Sequence, residues 1–255
     1  MRFFIVDAFT DRAFAGNSAG VVLLDEPADP AWMQSVAAEM KHAETAFVVT
    51  GNRHHGPKSL RWFTPAVEVA LCGHATLAVT HVLGGEQTYT TKSGELRAKA
   101  KDGWVEMDFP SDPPHPTDDD LSGILPGVAI EYTGRGVENL FAVVKDADTV
   151  RALKPDLEEL KRTWTGRLLV TAEDTATEND YVSRFFAPGV GIDEDPVTGS
   201  AHCILSPYWS AELEKPELTG EQASARGGIV RTRQDGDRVH LAGQAVTVLS
   251  GELHV

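Results

Sequence analysis

Cysteine is scarce in this chain of 255 residues, which contains only Cys72 and Cys203. Two thiols cannot build the disulfide framework that stabilises small secreted domains. The N-terminal segment MRFFIVDAFTD reaches an acidic residue after a few apolar ones, so it lacks the apolar centre of a signal peptide. We therefore expect a reduced, cytoplasmic protein.

Long apolar runs and clusters of basic residues are also lacking. A transmembrane helix needs about 18 or more consecutive apolar residues, and no such run is present. The chain has 23 Lys and Arg residues against 38 Asp and Glu residues, which gives a net charge of -15 at pH 7. Such a charge repels nucleic-acid phosphates and anionic lipids. We therefore expect neither nucleic acid nor a membrane as a partner.

Sequence motifs for metals and nucleotides are lacking as well. The chain has no HExxH, no paired CxxC, no GxGxxG and no phosphate-binding loop. We expect no metal ion and no cofactor.

What the chain does contain is an internal duplication. GNSAGVV at 16–22 resembles GVENLFAVV at 136–144, and Asn17 and Asn139 each lie four residues before a Val-Val pair. Two further pairs of segments follow in the same order, namely RWFTP at 61–65 with RFFAP at 184–188, and Gly73-His74-Ala75 with Gly199-Ser200-Ala201.

The duplication predicts an α+β protein of two pseudo-symmetric lobes, each mostly strand around one buried helix. We place the N-terminal lobe at 1–112 and the C-terminal lobe at 113–243, because 110–120 is rich in Pro and Asp. The last strand, 244–255, is expected to return to the first lobe.

Two helices and two hairpins can be placed within these lobes. Small and apolar residues on every side of 74–83 predict an enclosed helix. Its counterpart is 200–213, where we expect a kink or an early end at Pro207. Asp-Gly pairs at 102–103 and 235–236, between strand-like runs, predict hairpin turns.

Residues found in only one lobe are the candidates for chemistry. Glu44 lies 27 residues after Asn17, whereas Gly166 lies 27 residues after Asn139. The segment between a proline and the glycine also differs in length. Gly73 lies eight residues after Pro65 in the first lobe, whereas Gly199 lies eleven residues after Pro188 in the second, and this longer segment contains Asp195.

The residue after the glycine also differs, since His74 follows Gly73 but Ser200 follows Gly199. Two glycine-led helix N-termini that met across a lobe interface would bind a carboxylate through backbone N–H groups. Burial there would raise the pKa of Glu44 toward neutrality, which suits acid–base catalysis. His74 is expected to titrate near pH 7.

Structural roles stay open for each of these residues. Glu44 at a strand start could be a solvated surface residue, and His74 or Ser200 could simply cap a helix. Asp195 precedes a proline and could form a turn.

Cys72 raises another alternative, because a thiol at a helix N-terminus can have a lowered pKa. A racemase with two catalytic thiols needs one on each face of its substrate, but Cys72 aligns with Thr198, and Cys203 with Leu77. Neighbours in sequence seldom have hydrogen-bonding geometry, so we do not expect a catalytic dyad of Cys72 and His74.

Four motifs in order resemble the PhzF, or phenazine biosynthesis-like, family. They are D-A-F-T…F-A-G-N near the N-terminus, H-A-E-T-A-F-V at 42–48, R-W-F-T-P…E-V…L-C-G-H-A-T-L-A at 61–78 and D-P-V-T-G-S-A-H-C at 195–203. The resemblance covers nearly the whole chain. It implies a diaminopimelate epimerase-like fold, in which two lobes wrap strongly curved sheets around central helices, with a substrate cleft between them and homodimers common.

The resemblance also implies a function. The family's characterised phenazine enzyme is an isomerase that uses no metal or cofactor and moves a proton within a cyclohexadiene carboxylate. Its acid–base glutamate corresponds to Glu44, and its other catalytic side chains to His74, Asp195 and Ser200. The residues expected to bind substrate are Asn17, Gly73, Gly199 and Ser18, the last standing where the family usually has proline.

We therefore predict an isomerase that moves a proton within a small carboxylate, cyclic ones included. Two alternatives stay open. An amino-acid racemase or epimerase on the same fold would exchange the α-hydrogen of its substrate with solvent and would be sensitive to thiol alkylation. A non-catalytic metabolite-binding or interaction protein would bind its ligand without proton exchange.

Overall fold

The computed structural model describes residues 1–51 and 56–255. The helices and strands, in chain order, are β1 (Arg2–Ala8), β2 (Asn17–Leu24), α1 (Pro30–Met40), β3 (Glu44–Val49), β4 (Lys58–Phe63), β5 (Glu68–Val69), α2 (Gly73–Leu83), β6 (Gly85–Thr91), β7 (Gly94–Lys101), β8 (Trp104–Pro110), β9 (His115–Pro116), β10 (Ile130–Arg135), β11 (Leu140–Val144), α3 (Ala147–Ala152), α4 (Leu157–Lys161), β12 (Leu168–Glu173), β13 (Tyr181–Ala187), β14 (Ile192–Asp195), α5 (His202–Glu212), β15 (Glu217–Gln222), β16 (Gly228–Asp235) and β17 (Arg238–Glu252). Within the described ranges, no helix is both long and apolar enough to cross a membrane.

The chain divides into two compact units. Unit 1 contains residues 1–108 and 242–255, and unit 2 contains residues 109–241. The sequence placed the break after residue 112 and the return of the chain after residue 243. β17 pairs antiparallel with β1, from Arg2 opposite Glu252 to Ala8 opposite Ala245, so the last strand is part of unit 1.

Both units repeat one order of strand pairing. In unit 1, β1 and β2 are antiparallel, β2 and β3 are parallel, β3 and β4 are antiparallel, and β4 runs parallel to β6. In unit 2, β10 and β11 are antiparallel, β11 and β12 are parallel, β12 and β13 are antiparallel, and β13 runs parallel to β15. The predicted pseudo-symmetry is confirmed.

The central helix of unit 1 is α2. It contacts β1, β2, β3, β6 and β7, and every residue from His74 to Thr80 is buried. The small side chains Ala75 and Ala78 are fully enclosed. The sequence signal of a helix without a polar face is therefore confirmed.

In unit 2, α5 packs its apolar residues against a core that includes Phe141, Leu169 and Phe185. The helix continues through Pro207 to Glu212, so the expected early end is wrong. Proline has no N–H for the carbonyl four residues earlier, which belongs to Cys203. The backbone N–H of Asp112 donates to that carbonyl at 3.0 Å instead.

The first predicted hairpin turn is also confirmed. β7 and β8 pair antiparallel around Asp102 and Gly103, whose φ angles of 52° and 82° lie in the left-handed region. Two successive left-handed residues make the turn whose twist matches paired strands. In unit 2, Gly236 has a φ of 59° between the neighbouring strands β16 and β17.

Candidate active site

Unit 1 brings together the side chains of Glu44, Cys72 and His74, which we call the unit 1 cluster. The Nε2 atom of His74 lies 3.3 Å from Oε2 of Glu44. The Sγ atom of Cys72 lies 3.5 Å from Nδ1 of His74. The side chains of Glu44 and His74 are 15% and 7% exposed. The acid that has no counterpart in the second lobe and the helix-start histidine picked out in the sequence are therefore neighbours, and both are largely buried.

The unit 1 cluster forms where strand β3 and helix α2 begin. Glu44 begins β3 and lies opposite Ala19 in the parallel β2–β3 ladder. Gly73 and His74 begin α2, and Cys72 precedes them in extended conformation without a side-chain cap. The first N–H groups of a helix have no acceptor within the helix and form the positive end of its dipole. A carboxylate beside α2 is therefore favoured electrostatically.

Burial lowers the pKa of His74 to about 4. The expectation that this histidine titrates near pH 7 is wrong, because the sequence does not show that α2 encloses its second residue. A neutral imidazole has one donor and one acceptor nitrogen. His74 is therefore a hydrogen-bonding group at neutral pH and carries no charge.

The contact between His74 and Glu44 is close in distance but not aligned as a hydrogen bond. Nε2 of His74 is buried and has no hydrogen-bond partner. Catalytic hydrogen bonds are often long or poorly aligned until substrate is bound. The buried nitrogen therefore has unused hydrogen-bonding capacity beside the Glu44 carboxylate.

Cys72 contacts His74 directly, which the sequence argument did not expect. Its extended backbone, φ -149° and ψ 111°, places the thiol next to the imidazole that starts the helix. Neutral Nδ1 can accept a weak hydrogen bond from the thiol.

One ligand atom each from Glu44, Cys72 and His74 lie within 4.8 Å of one another. Zinc uses donors of these three types. However, Sγ of Cys72 faces Nδ1 of the imidazole while Oε2 of Glu44 faces Nε2. The two contacts therefore involve different nitrogens of the imidazole ring, and the expected absence of a metal stays a prediction.

Asn17 and Ser18 start β2, where they pair with Ala8 and Asp7 of β1. Asn17 is 1% exposed, and Oγ of Ser18 lies 3.5 Å from Nδ1 of His42. Gly16 precedes them with a φ of 63°, and a Cβ there would lie 2.1 Å from the carbonyl oxygen of Ala8. Only glycine fits this entry into β2. The substrate-binding roles of Asn17 and Ser18 stay predictions.

Unit 2 places the other predicted residues on a segment that we call the unit 2 loop, residues 195–200. Thr198 Oγ1 donates to Oδ2 of Asp195 at 2.5 Å. Gly199 is buried, whereas Ser200 is exposed. Gly199–Ala201 forms a 3₁₀ turn, and α5 begins only at His202. The glycine-led start in unit 2 is therefore a tighter turn than in unit 1.

Each unit also contains an arginine–glutamate fork that the sequence analysis did not assign. Arg61 donates from Nε and Nη2 to both oxygens of Glu68 at 2.7 and 2.8 Å. Arg184 donates in the same way to Glu194 at 2.7 and 2.9 Å. These forks close the hairpins that lead to Gly73 and Gly199. The sequence does contain a signal for these ion pairs, because each duplicated aromatic motif begins with arginine and is followed by an acidic residue.

The Arg61–Glu68 fork is a strong ion pair. Its hydrogen bonds lower the pKa of Glu68 to about 2. Glu68 also accepts from Lys92 at 2.5 Å. Glu68 is therefore a fixed structural anion.

The strand register shows which residues of unit 2 correspond in position to Glu44. Thr45 lies opposite Phe63, and Leu168 lies opposite Phe186, so the antiparallel ladders match Glu44 with Arg167. The parallel ladders, in which Ala19 lies opposite Glu44 and Phe141 lies opposite Leu169, match Glu44 with Leu169 instead. Neither register places a carboxylate in unit 2 at the position of Glu44.

Cys203 differs from Cys72. It is buried in unit 2, where burial raises the pKa of its thiol to about 12. At neutral pH this thiol stays protonated, which makes it a poor nucleophile or base.

Comparison with known proteins places the chain. Residues 6–251 match the family described as phenazine biosynthesis-like protein. The chain belongs to this family. It is 45% identical over 260 residues to an uncharacterized isomerase of Halalkalibacterium halodurans, covering 98% of this chain and 97% of that protein. Members of the phenazine biosynthesis-like family thus include proteins named as isomerases.

Solved structures agree with this assignment. A PhzF-family phenazine biosynthesis protein from Enterococcus faecalis superposes with a TM-score of 0.94 at 37% identity, covering 100% of this chain and 99% of that one. A hydroxyproline epimerase from Agrobacterium vitis shares the fold, with a TM-score of 0.63 at 11% identity over 98% of this chain and 91% of that one. The fold is diaminopimelate epimerase-like, and the relative from Halalkalibacterium halodurans supports an isomerase function.

Proposed function

We propose that the protein is a cofactor-independent isomerase that moves a proton within a small carboxylate. The observation that carries the proposal is the Glu44–His74 contact of 3.3 Å at the start of α2. A largely buried carboxylate beside a neutral imidazole is a suitable acid–base group for a carbon acid. Glu44 removes a proton from one carbon and returns it to another.

The other roles follow from electrostatics and from the family resemblance. The N–H groups at Gly73 and Gly199 bind the carboxylate of the substrate. His74 hydrogen-bonds to it as a neutral group, and Asp195 and Ser200 orient its polar substituents. Asn17 and Ser18 complete the binding residues. The active protein is a homodimer, which the molar mass in solution tests.

The test is incubation of the protein with a panel of amino acids and cyclic carboxylic acids in deuterated water, read by NMR. An acid whose carbon is activated gains deuterium, and we expect Glu44→Gln to abolish this labelling while binding and folding persist. Glu39 of α1, which is exposed, provides the matched control Glu39→Gln. Binding of a panel acid without any labelling by the wild type would support the metabolite-binding alternative instead.

A racemase or epimerase is the second candidate, favoured by the 3.5 Å contact between Cys72 Sγ and His74 Nδ1. It predicts deuterium at the α-carbon with inversion of configuration, together with loss of activity on thiol alkylation. Deuterium at any other carbon, with Cys72 alkylated and activity retained, contradicts it.

A further inference from the structure

Gln222, the last residue of β15, is fully buried and faces the unit 2 loop with its whole amide group. Its Oε1 accepts from the backbone N–H of Thr198 at 2.8 Å. Its Nε2 donates to the backbone carbonyl of Asp195 at 2.8 Å and to Oγ1 of Thr198 at 3.2 Å. One side chain therefore holds both ends of the segment between Asp195 and Thr198.

The chemistry of these contacts requires an amide in this orientation. A backbone N–H can only donate and a backbone carbonyl can only accept, so a flipped amide would lose both bonds. A carboxylate could not donate to the carbonyl of Asp195, and an apolar side chain could do neither. Leaving such buried groups unpaired is unfavourable.

The same contacts set the direction of the Asp195 side chain. Thr198 Oγ1 accepts from Gln222 and donates its own proton to Oδ2 of Asp195. Thr198 is thereby engaged with the loop and does not cap the following turn. Ser224, two residues after Gln222, donates from Oγ to the carbonyl of Pro196 at 2.8 Å. The loop is thus fixed from the β15 side at Asp195, Pro196 and Thr198.

These contacts of Gln222 and Ser224 occur in the unit whose segment from proline to glycine is longer, eleven residues instead of eight. Extra residues give a loop more conformations, so holding it in one requires added contacts. In the parallel β13–β15 ladder Ser183 lies opposite Gln222, and this pairing fixes the position of the Gln222 backbone beside the unit 2 loop.

We propose that Gln222 is a positioning residue for proton transfer. It fixes the Asp195 carboxylate and the Gly199 N–H in the geometry that the substrate needs. This inference rests on the proposed function, in which Asp195 and Gly199 contact the substrate. Misplacement of about 1 Å can slow a reaction about 100-fold, so a residue that touches no substrate can matter this much.

The test uses Gln222→Met, which keeps the size of the side chain and removes both donor and acceptor. Thr171→Val is the matched control, because Thr171 is also fully buried in unit 2 and bonds to Val182 and Trp209, outside the loop. Hydrogen exchange is followed by mass spectrometry in peptides covering 195–201 and 73–83. Exchange at 195–201 should rise about tenfold in Gln222→Met alone, with 73–83 unchanged. Wild-type exchange at 195–201 in this variant overturns the proposal.

The kinetic arm uses the deuterium-labelling assay. Gln222→Met should lower kcat about 10- to 100-fold with KM changed less than about threefold, while Thr171→Val stays near wild type. An equal loss in both variants would mean that only stability matters and would overturn the positioning role. If Glu44→Gln keeps full labelling, the proposed function fails, and the exchange data still decide whether Gln222 holds the loop.

A second variant guards against misfolding. Gln222→Glu keeps the shape, and its side chain can donate to the Asp195 carbonyl only when protonated. Its activity relative to wild type should therefore rise as the pH falls from 8 to 5. A constant ratio across this range contradicts the proposal.

Discussion

Units 1 and 2 share a frame and differ in the side chains placed on it. Both have the same order of parallel and antiparallel pairs and an arginine–glutamate fork before the glycine-led turn. Unit 1 then places an acid, a thiol and an imidazole together, whereas unit 2 builds a clamped loop around Asp195. The shared residues thus maintain the backbone, and the residues present in only one unit are the candidates for chemistry.

The largest expected effect on activity concerns Glu44, the first residue of β3. Glu44→Gln should lower activity about 1,000-fold, equivalent to about 4 kcal/mol of barrier, because the base is lost. Arg167→Gln, at the position that the antiparallel ladders match with Glu44, should change activity less than about threefold, because Arg167 bonds to Glu138 on the surface. Labelling rates of both variants check this, and equal losses would mean that the two positions are not specialised.

The forks should be unequal in stability. Arg184→Met is expected to destabilise unit 2 by about 3 kcal/mol, because Arg184 also donates to the carbonyl of Leu153 at the end of α3. Arg61→Met should cost about 1–2 kcal/mol, since Glu68 keeps Lys92. Urea unfolding at pH 7 measures both values. A larger loss in the free energy of unfolding for Arg61→Met than for Arg184→Met would contradict this ranking of the two forks.

Acid should destabilise both units through their buried histidines. Burial lowers the pKa of His74 to about 4 and that of His202 to about 3. The unfolded state, with a histidine pKa near 6.5, binds more protons in this window, so the free energy of unfolding falls as the pH drops below about 6.5. At pH 5 the loss is about 2 kcal/mol for each histidine.

Replacement of one histidine should separate these contributions. His202→Asn keeps a partner for the Tyr181 hydroxyl, which lies 2.8 Å from Nδ1, and should weaken the pH dependence of urea unfolding. His254 has a side chain 83% exposed, so His254→Asn should leave the dependence unchanged. If the free energy of unfolding of His202→Asn depends on pH as it does in the wild type, His202 does not contribute to the destabilisation by acid.

The smallest effect is expected at Cys72. Serine can also donate to Nδ1 of His74, so Cys72→Ser should keep labelling within about threefold of wild type. A loss of about 100-fold would instead assign the thiol a chemical role and favour the racemase alternative.

Much of the fold was predictable because it depends on local patterns. The duplicated motifs, the helix at 74–83 and the Asp102-Gly103 turn all carry short-range signals. Counting residues from Asn17 and Asn139 does not reproduce the strand register, because the counts include loops whose lengths differ, whereas register is set by pairing. The continuation of α5 through Pro207 required knowledge of a donor from outside the helix.

The candidate site was predictable in its members but not in its electrostatics. The neutral state of His74 results from enclosure by five strands, which a count along the chain does not show. Gln222 lies 27 residues beyond Asp195, and only the β13–β15 pairing brings it to the loop. A single buried amide on a strand carries no periodic signal, so sequence reasoning had no means to find it.

The bond from the Asp112 N–H to the Cys203 carbonyl has a consequence for dissecting the molecule. Asp112 lies in the stretch that resembles a mere connector, yet it completes the helix that Pro207 would otherwise leave short of a donor. A fragment of the C-terminal half that starts at residue 113 would lack this bond, so its helix would fray next to Cys203. Fusion joints should therefore be placed ahead of residue 109, so that Asp112 stays in the same fragment as the helix that it completes.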